Sequence, residues 1–177
     1  MGDSGAGKST LTWGLLQHGF EYLSDELAPI AAQELRVLPY PRSLCLKAPP
    51  PEPYSLPPAV VETSRGLHVP TGGRGRAAPR ARRLHAIFFL EPGAVARRSP
   101  TVRRISSAEA AARLLANALN PLSHAADGLD AALAIAQCAP CFELRAADLR
   151  ATCELVGASL EELRARGVEP DCGPPGQ

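Results

Sequence analysis

The residues with the clearest chemical potential are the first ten of the chain. Residues 2–10 satisfy the G-x-x-x-x-G-K-[ST] pattern of a phosphate-binding loop. In such a loop the glycines allow backbone N–H groups to surround a triphosphate, while Lys8 supplies a positive charge and Ser9 a hydroxyl for a metal ion. The pattern therefore predicts a site for ATP and Mg²⁺. The predicted nucleotide-binding residues are Gly2, Asp3, Ser4, Gly5, Ala6, Gly7, Lys8, Ser9 and Thr10.

A pair of carboxylates follows the loop after one predicted helix and one predicted strand. Leu11, Leu15 and Leu16 recur at helical spacing, and residues 20–23 alternate as a short strand that leads to Asp25 and Glu26. Phosphoryl transfer needs a carboxylate near the terminal phosphate, where it accepts the proton of the attacking hydroxyl. We therefore expect both carboxylates beside the loop.

The basic residues are unevenly distributed. Of 19 basic residues only Lys8 and Lys47 are lysine, and residues 65–104 contain ten arginines but a single acidic residue, Glu91. The arginine-rich segment 74–83 is interpreted as a solvated loop or a site for an acidic or phosphorylated partner. Nucleic acid is disfavoured because no aromatic residues are interleaved to stack bases.

The rest of the chain predicts an α/β domain. Two helices follow Ser106, which is a candidate N-cap together with Ser107, and the chain ends with two more helices. The predicted elements are a buried strand over 84–90, helices over 107–119 and 128–137, a strand over 142–144, and helices over 148–156 and 159–166. We expect a single domain over residues 1–168 and a flexible tail over 169–177.

Two further patterns concern compartment and cysteine chemistry. Because the sequence has no run of 18 apolar residues and no signal-peptide pattern, we expect a cytoplasmic protein with no membrane contact. Cys138 and Cys141 have the spacing of a redox dithiol or half a zinc site, but no second pair accompanies them. We interpret the five cysteines as reduced thiols, most of them small core residues.

The start of the loop leads to a structural expectation. A phosphate loop normally connects a buried β-strand to its helix, yet here the loop begins at residue 2. We therefore expect a domain that lacks the strand preceding the loop, because of N-terminal truncation or a start site placed too late. A truncated relative with an impaired site is the other reading.

These motifs together resemble a known family. Residues 2–10, followed by His18-Gly19-Phe20-Glu21-Tyr22-Leu23-Ser24-Asp25-Glu26, are similar to the catalytic domain of HPr kinase/phosphorylase. The similarity is closer to the HPr-kinase-related kinases of bacterial peptide-modification clusters. Their P-F-P-R-x-x-x-L-K run is matched by residues 39–47.

The resemblance implies a fold, an activity and several roles. It implies a P-loop kinase domain of the HPr kinase C-terminal type, acting as an ATP-dependent serine kinase on a Ser or Thr of a protein or peptide substrate. Glu26 would be the base, with Asp25 as its metal-side neighbour. Glu62 would be a second Mg²⁺ carboxylate, because residues 62–66 resemble an E-x-R-G motif with one extra residue. Family members assemble into oligomers, so a homo-oligomer is expected.

Two other classes stay open. Residues 87–91 resemble the strand that places an acidic residue near Mg²⁺ in other P-loop ATPases and small-molecule kinases, and this residue would be Glu91. Alternatively, Glu91 is a charge at a strand end. The third possibility is a catalytically inactive nucleotide-binding module.

Overall fold

A computed structural model describes residues 1–2, 5–31, 34, 36–71, 78, 80–91, 99–119 and 128–167. Within these ranges the chain forms four α-helices and three small sheets, which confirms the mixed α/β class. The helices are α1 (Lys8–Gln17), α2 (Ser107–Ala116), α3 (Leu129–Cys138) and α4 (Leu149–Ala165). The strands are β1 (Ile30–Ala31), β2 (Arg36–Val37), β3 (Leu44–Leu46), β4 (Val61–Thr63), β5 (Gly66–Val69), β6 (Arg82–Arg83), β7 (Ile87–Glu91), β8 (Thr101–Arg104) and β9 (Cys141–Arg145).

Each sheet has three strands in the described part of the chain. Two of them are antiparallel, with strand orders β1-β2-β6 and β3-β5-β4. The third has the order β7-β9-β8, in which β7 and β9 are parallel and β8 is antiparallel to β9. We call these the small, middle and mixed sheets.

The mixed sheet contains the buried strand that the sequence predicts. Its apolar run gives β7 side chains that are buried on both faces, as expected for a strand covered by helices. Ile87 and Phe89 pack against α2 and α3, whereas Leu90 packs against Val156 of α4. The predicted helices after Ser106 and Gly128 and the strand near 142 are also present, and the Ser106 hydroxyl caps α2 by accepting from the Glu109 amide at 3.2 Å.

Two predicted elements differ from the structure. The two helices predicted over 148–166 form the single helix α4, because burial of Cys153 and Val156 and a cap from Asp148 outweigh the roughly 1 kcal/mol cost of Gly157 in a helix. The strand predicted over 20–23 is reduced to one bridge at Tyr22, whose carbonyl accepts from the Ala78 amide at 2.8 Å. Tyr22 is held by packing, since its side chain is almost fully buried.

Helix α1 lies between the middle sheet and α4. On one side Trp13 and Leu16 are buried with the middle-sheet residues Leu44, Leu46 and Val69. On the other side Gly14 permits a close approach to α4, because a Cβ at this position would lie 2.7 Å from the Cys153 sulfur. The helix that follows the loop is therefore held on two sides.

Several expectations meet the structure only in part. Cys45, Cys141 and Cys153 are free thiols, but Cys138 is disulfide-bonded, so the expectation of reduced cysteines is wrong there. Residues 169–177 and, within the arginine-rich segment, 74–77 and 79 lie outside the described residues. No helix in the described ranges is long and apolar enough to span a membrane.

Candidate functional site

The loop enters α1 through a left-handed glycine. Gly7 has φ 90° and ψ 15°, and the first hydrogen bond of α1 runs from the Leu11 amide to its carbonyl at 2.9 Å. A residue with a side chain is strained in this conformation, so the position favours glycine. No side chain caps α1 at Gly7, and backbone N–H groups at the start of a helix attract anions.

The other end of the loop is attached to the mixed sheet. The Met1 amine donates to the Phe88 carbonyl and the Leu90 amide donates to the Met1 carbonyl, both at 2.7 Å. These two hydrogen bonds have the pattern of a parallel bridge between Met1 and β7. Gly2 then turns so close to β7 that a Cβ would lie 2.4 Å from the Leu90 carbonyl oxygen. The loop therefore starts at the C-terminal end of β7.

Lys8 reaches back across the loop. Its Nζ donates to the Gly2 carbonyl at 2.6 Å, although the two residues are six positions apart. The ammonium group thus lies beside the Gly2 carbonyl of the loop at which the predicted phosphates would bind. Thr10 lies in the first turn of α1, and Asp3 and Ser4 lie outside the described residues.

Ser9 and Asp25 meet at the start of α1. The Ser9 hydroxyl lies 3.1 and 3.2 Å from the two carboxylate oxygens of Asp25, and the Cys45 amide donates to the same carboxylate at 3.4 Å. Burial raises the pKa of Asp25, Glu26 adds to the rise, and the hydrogen bonds from Ser9 and Cys45 oppose it. The structure therefore places a half-buried carboxylate with a raised pKa beside the loop.

The oxygen atoms at this point suit a magnesium ion. Mg²⁺ is typically bound by one or two carboxylates, water and substrate phosphates rather than by a complete protein cage. Ser9 and Asp25 supply a hydroxyl and a carboxylate of this kind. Within the described ranges no group of three or more His, Cys, Asp or Glu side chains converges.

The structure does not bring the other two predicted carboxylates into contact with the loop. Glu26 is exposed, although it is close enough to Asp25 to affect its pKa. Glu62 is exposed on β4 and borders an open cavity of about 370 Å³ together with Lys47 and Arg65. Within the described residues neither carboxylate forms a hydrogen bond or ion pair with Lys8 or Ser9.

Lys47 is a site residue to which the motifs gave no role. It follows β3, and its Nζ lies 3.9 Å from the position that a Cβ on Gly5 would occupy. Two signals were available: Lys47 is one of only two lysines in a chain with 17 arginines, and it is the last residue of the P-F-P-R-x-x-x-L-K match at residues 39–47. The loop is therefore bordered by both lysines of the protein.

Glu91, the acidic residue of the alternative reading, has a different partner. Its Oε1 accepts from Arg113 of α2 at 3.0 Å at the end of β7. The carboxylate is thus engaged in an ion pair between the mixed sheet and α2. This position agrees with a charge at a strand end.

The geometry joins a glycine loop, a lysine that crosses it, a hydroxyl and a half-buried carboxylate. The loop is supported by β7 and β9, since Ala6 is buried with Leu90 and Leu144. Such an arrangement can bind a phosphate chain and hold a proton acceptor near it. No protein-family model, curated protein or solved structure matches the chain.

Proposed function

We propose that this chain is an ATP-dependent protein or peptide serine kinase that resembles HPr kinase. The observation that carries the proposal is the assembly at the start of α1, where Lys8 closes the loop at 2.6 Å and Ser9 contacts Asp25 at 3.1 Å. Phosphoryl transfer depends mainly on positioning and charge stabilisation, and a phosphate loop beside a carboxylate supplies both.

Phosphate binding would use the loop and Lys8. The N–H groups at the start of α1 and the positive end of the helix dipole favour an anion at this point. The Lys8 ammonium now donates to a backbone carbonyl of the loop, and it would exchange this acceptor for phosphate oxygens. Gly2 permits the close approach of the loop to β7, and Gly7 permits the left-handed conformation that begins α1.

Ser9 and Asp25 would hold Mg²⁺. The hydroxyl and carboxylate oxygens are already within 3.2 Å of each other and are the ligand types that this ion prefers. When bound, Mg²⁺ would offset negative charge on the phosphates. Ser9 would thereby connect the loop to the carboxylate pair.

In the proposed transfer, the oxygen of a Ser or Thr hydroxyl forms a bond to the γ-phosphorus of ATP. The bond from that phosphorus to the β,γ-bridging oxygen breaks, and ADP leaves with the bonding electrons. The hydroxyl proton passes to a carboxylate, which we assign to Glu26, with Asp25 orienting the site. Because Glu26 is exposed, a protein or peptide acceptor could reach it from solvent.

The proposal is tested with labelled ATP and synthetic peptides that contain Ser or Thr. We expect label on a hydroxyl, a 10²- to 10⁴-fold slower transfer by Glu26→Gln with ATP affinity unchanged, and weaker ATP binding by Lys8→Ala. Transfer by Glu26→Gln at the wild-type rate would show that the base is wrongly assigned. Unchanged ATP binding by Lys8→Ala would show that the loop is not the nucleotide site.

A further inference from the structure

We propose that Lys47 is a second phosphate-binding residue, which contacts the polyphosphate chain together with Lys8 and makes the site selective for triphosphates over monophosphates. This inference rests on the proposed function, because it concerns the ligand of the same loop. It assigns a role to a residue far from the loop in sequence. Four observations support it.

The first observation is the support of Lys47 by a buried strand. Leu44 and Leu46 of β3 have relative exposures of 0% and 1%, so the backbone that carries Lys47 is fixed in the core. The same strand already contributes to the site, since the Cys45 amide donates to Asp25 at 3.4 Å. The start of the lysine side chain is therefore positioned, while its flexible stem and exposed ammonium can follow a ligand.

The second observation is the approach of the ammonium to the loop. Nζ of Lys47 lies 3.9 Å from the position of a Cβ on Gly5, and Gly5 itself has φ 90°. Near the ends of the same loop, Lys8 donates to Gly2 at 2.6 Å. Both ammonium groups thus border one short stretch of backbone. An anion that binds along this loop is attracted by both ammonium groups.

The third observation is a cavity that Lys47 also lines. It has a volume of about 370 Å³, is open to solvent, and is bordered by Lys47 and by residues 62–67 of the β4–β5 hairpin. The lysine therefore borders both the loop and the cavity. A phosphoryl group that moves from the loop toward an acceptor in this cavity would stay within reach of one ammonium group.

The fourth observation is the use of lysine in an arginine-rich chain. The chain contains 17 arginines and only two lysines, and both lysines border the loop. An ammonium is a compact charge with three donors and rotates freely, whereas guanidinium is planar and requires a matching geometry. An ammonium group therefore suits a mobile phosphate chain better than a guanidinium group does.

The first test measures ligand affinity by titration calorimetry with ATP, tripolyphosphate and AMP. We expect Lys47→Gln to weaken ATP and tripolyphosphate binding about tenfold, to change AMP binding much less, and to lower the salt dependence of binding, because one charged contact is lost. Lys47→Arg, which keeps the charge, should retain most of the affinity. The matched control is Arg166→Gln, which removes an exposed positive charge at the end of α4 and should bind like wild type.

The outcomes separate the inference from the proposed function. If Lys47→Gln binds ATP and tripolyphosphate like wild type while Lys8→Gln binds weakly, the inference is wrong and the loop remains the site. If Lys8→Gln also binds like wild type, or wild type binds neither ligand, both proposals are wrong. Equal losses of AMP and ATP affinity in Lys47→Gln would contradict a contact with the terminal phosphates.

A second test needs no variant and does not depend on the folding of one. Wild-type protein is treated briefly with an amine-acylating reagent, and modification of the two lysines is read by mass spectrometry. Tripolyphosphate should slow acylation of both Lys8 and Lys47 several-fold, and AMP should protect Lys47 much less. Protection of Lys8 alone would overturn the inference.

Discussion

Ionisation of Asp25, whose carboxylate contacts Ser9, opposes the stability of the fold. Its carboxylate is half-buried, and burial raises its pKa even though Ser9 and the Cys45 amide donate hydrogen bonds to it. The ionised form that a metal ion or a proton acceptor requires is therefore disfavoured by the fold. Under the proposed function, this charge would be used when Mg²⁺ and phosphates bind.

This opposition gives a pH-dependent prediction for Asp25→Asn. When the pKa of a carboxyl is higher in the folded state than in the unfolded state, the protein loses stability as pH rises through the folded-state pKa. The neutral amide avoids this loss, so the variant should be at least as stable as wild type at pH 7. Its advantage should vanish below about pH 4, where Asp is protonated in both states. Urea unfolding between pH 3.5 and 8 measures the difference.

The control for this measurement is Glu26→Gln, the exposed neighbour. Because Glu26 is in solvent, its amide variant should shift stability little at any pH. An Asp25→Asn variant that is less stable than wild type across the whole range would contradict the prediction. That result would mean that the hydrogen bonds to the carboxylate outweigh its burial.

The sequence identified the carboxylate pair but not which member contacts Ser9. Residues 25 and 26 form a bend, and Asp25 is the member whose carboxylate lies 3.1 and 3.2 Å from the Ser9 hydroxyl. Which one does so depends on β3, whose Cys45 amide completes the contact with Asp25. Lys8 and Ser9 were predictable because the loop motif fixes their spacing, whereas Lys47 arrives by tertiary packing.

At the scale of elements, the position of α1 decides the geometry of the site. The helix begins with Lys8 and Ser9 and is held between the middle sheet and α4. Its contact with α4 depends on Gly14, because a Cβ there would lie 2.7 Å from the Cys153 sulfur and 3.1 Å from Leu149 Cδ1. The glycine is therefore a packing residue in the middle of a helix.

The paired variants Gly14→Ala and Gly157→Ala should have opposite effects. Alanine favours a helix over glycine by about 1 kcal/mol, so Gly157→Ala in α4, where a Cβ meets nothing within 4 Å, should stabilise by up to that amount. Gly14→Ala should instead destabilise by roughly 1–2 kcal/mol, because overpacking exceeds the gain in propensity. Chemical unfolding measures both. Stabilisation by both substitutions would show that α1 and α4 do not pack closely at Gly14.

Elements with strong local signals were predictable, and elements that depend on packing were not. The apolar run of β7 and the Ser106 cap of α2 are local, and the structure has both. The sequence predicts a break at residues 157–158, where Gly157 disfavours a helix. The free-energy cost of this glycine is smaller than the gain from burying Cys153 and Val156, so α4 is continuous. Strand β2 pairs with β6, and β3 pairs with β5, over long sequence distances that no periodicity reveals.

At the scale of the whole molecule, an ion-pair network joins α2 to the mixed sheet, whose strand β7 supports the loop. Glu143 of β9 has a relative exposure of 5% and lies at its centre. It accepts from Arg103 of β8 and Arg113 of α2 at 3.0 Å and from Arg145 at 2.8 Å. Arg113 also binds Glu91 at the end of β7, so one network links three strands and a helix.

The network predicts acid sensitivity of the fold. Hydrogen bonds from Arg103 and Arg113 lower the pKa of Glu143 to about 2. A carboxyl with a lowered folded-state pKa contributes stability above its unfolded pKa and loses it as pH falls through the folded pKa. We therefore expect the free energy of unfolding to decrease as pH falls from about 5 to 2. Circular dichroism with urea titration follows this decrease.

Glu143→Gln separates this contribution from general acid effects. The variant should be less stable at pH 7 by roughly 1–3 kcal/mol, because a charged acceptor is lost from three arginines. It should also lose less stability than wild type between pH 5 and 2, since the titrating group is gone. Glu162→Gln, an exposed partner of Arg166 on α4, should leave both quantities nearly unchanged. Identical acid profiles for wild type and Glu143→Gln would mean that the acid sensitivity of the fold does not depend on this carboxylate.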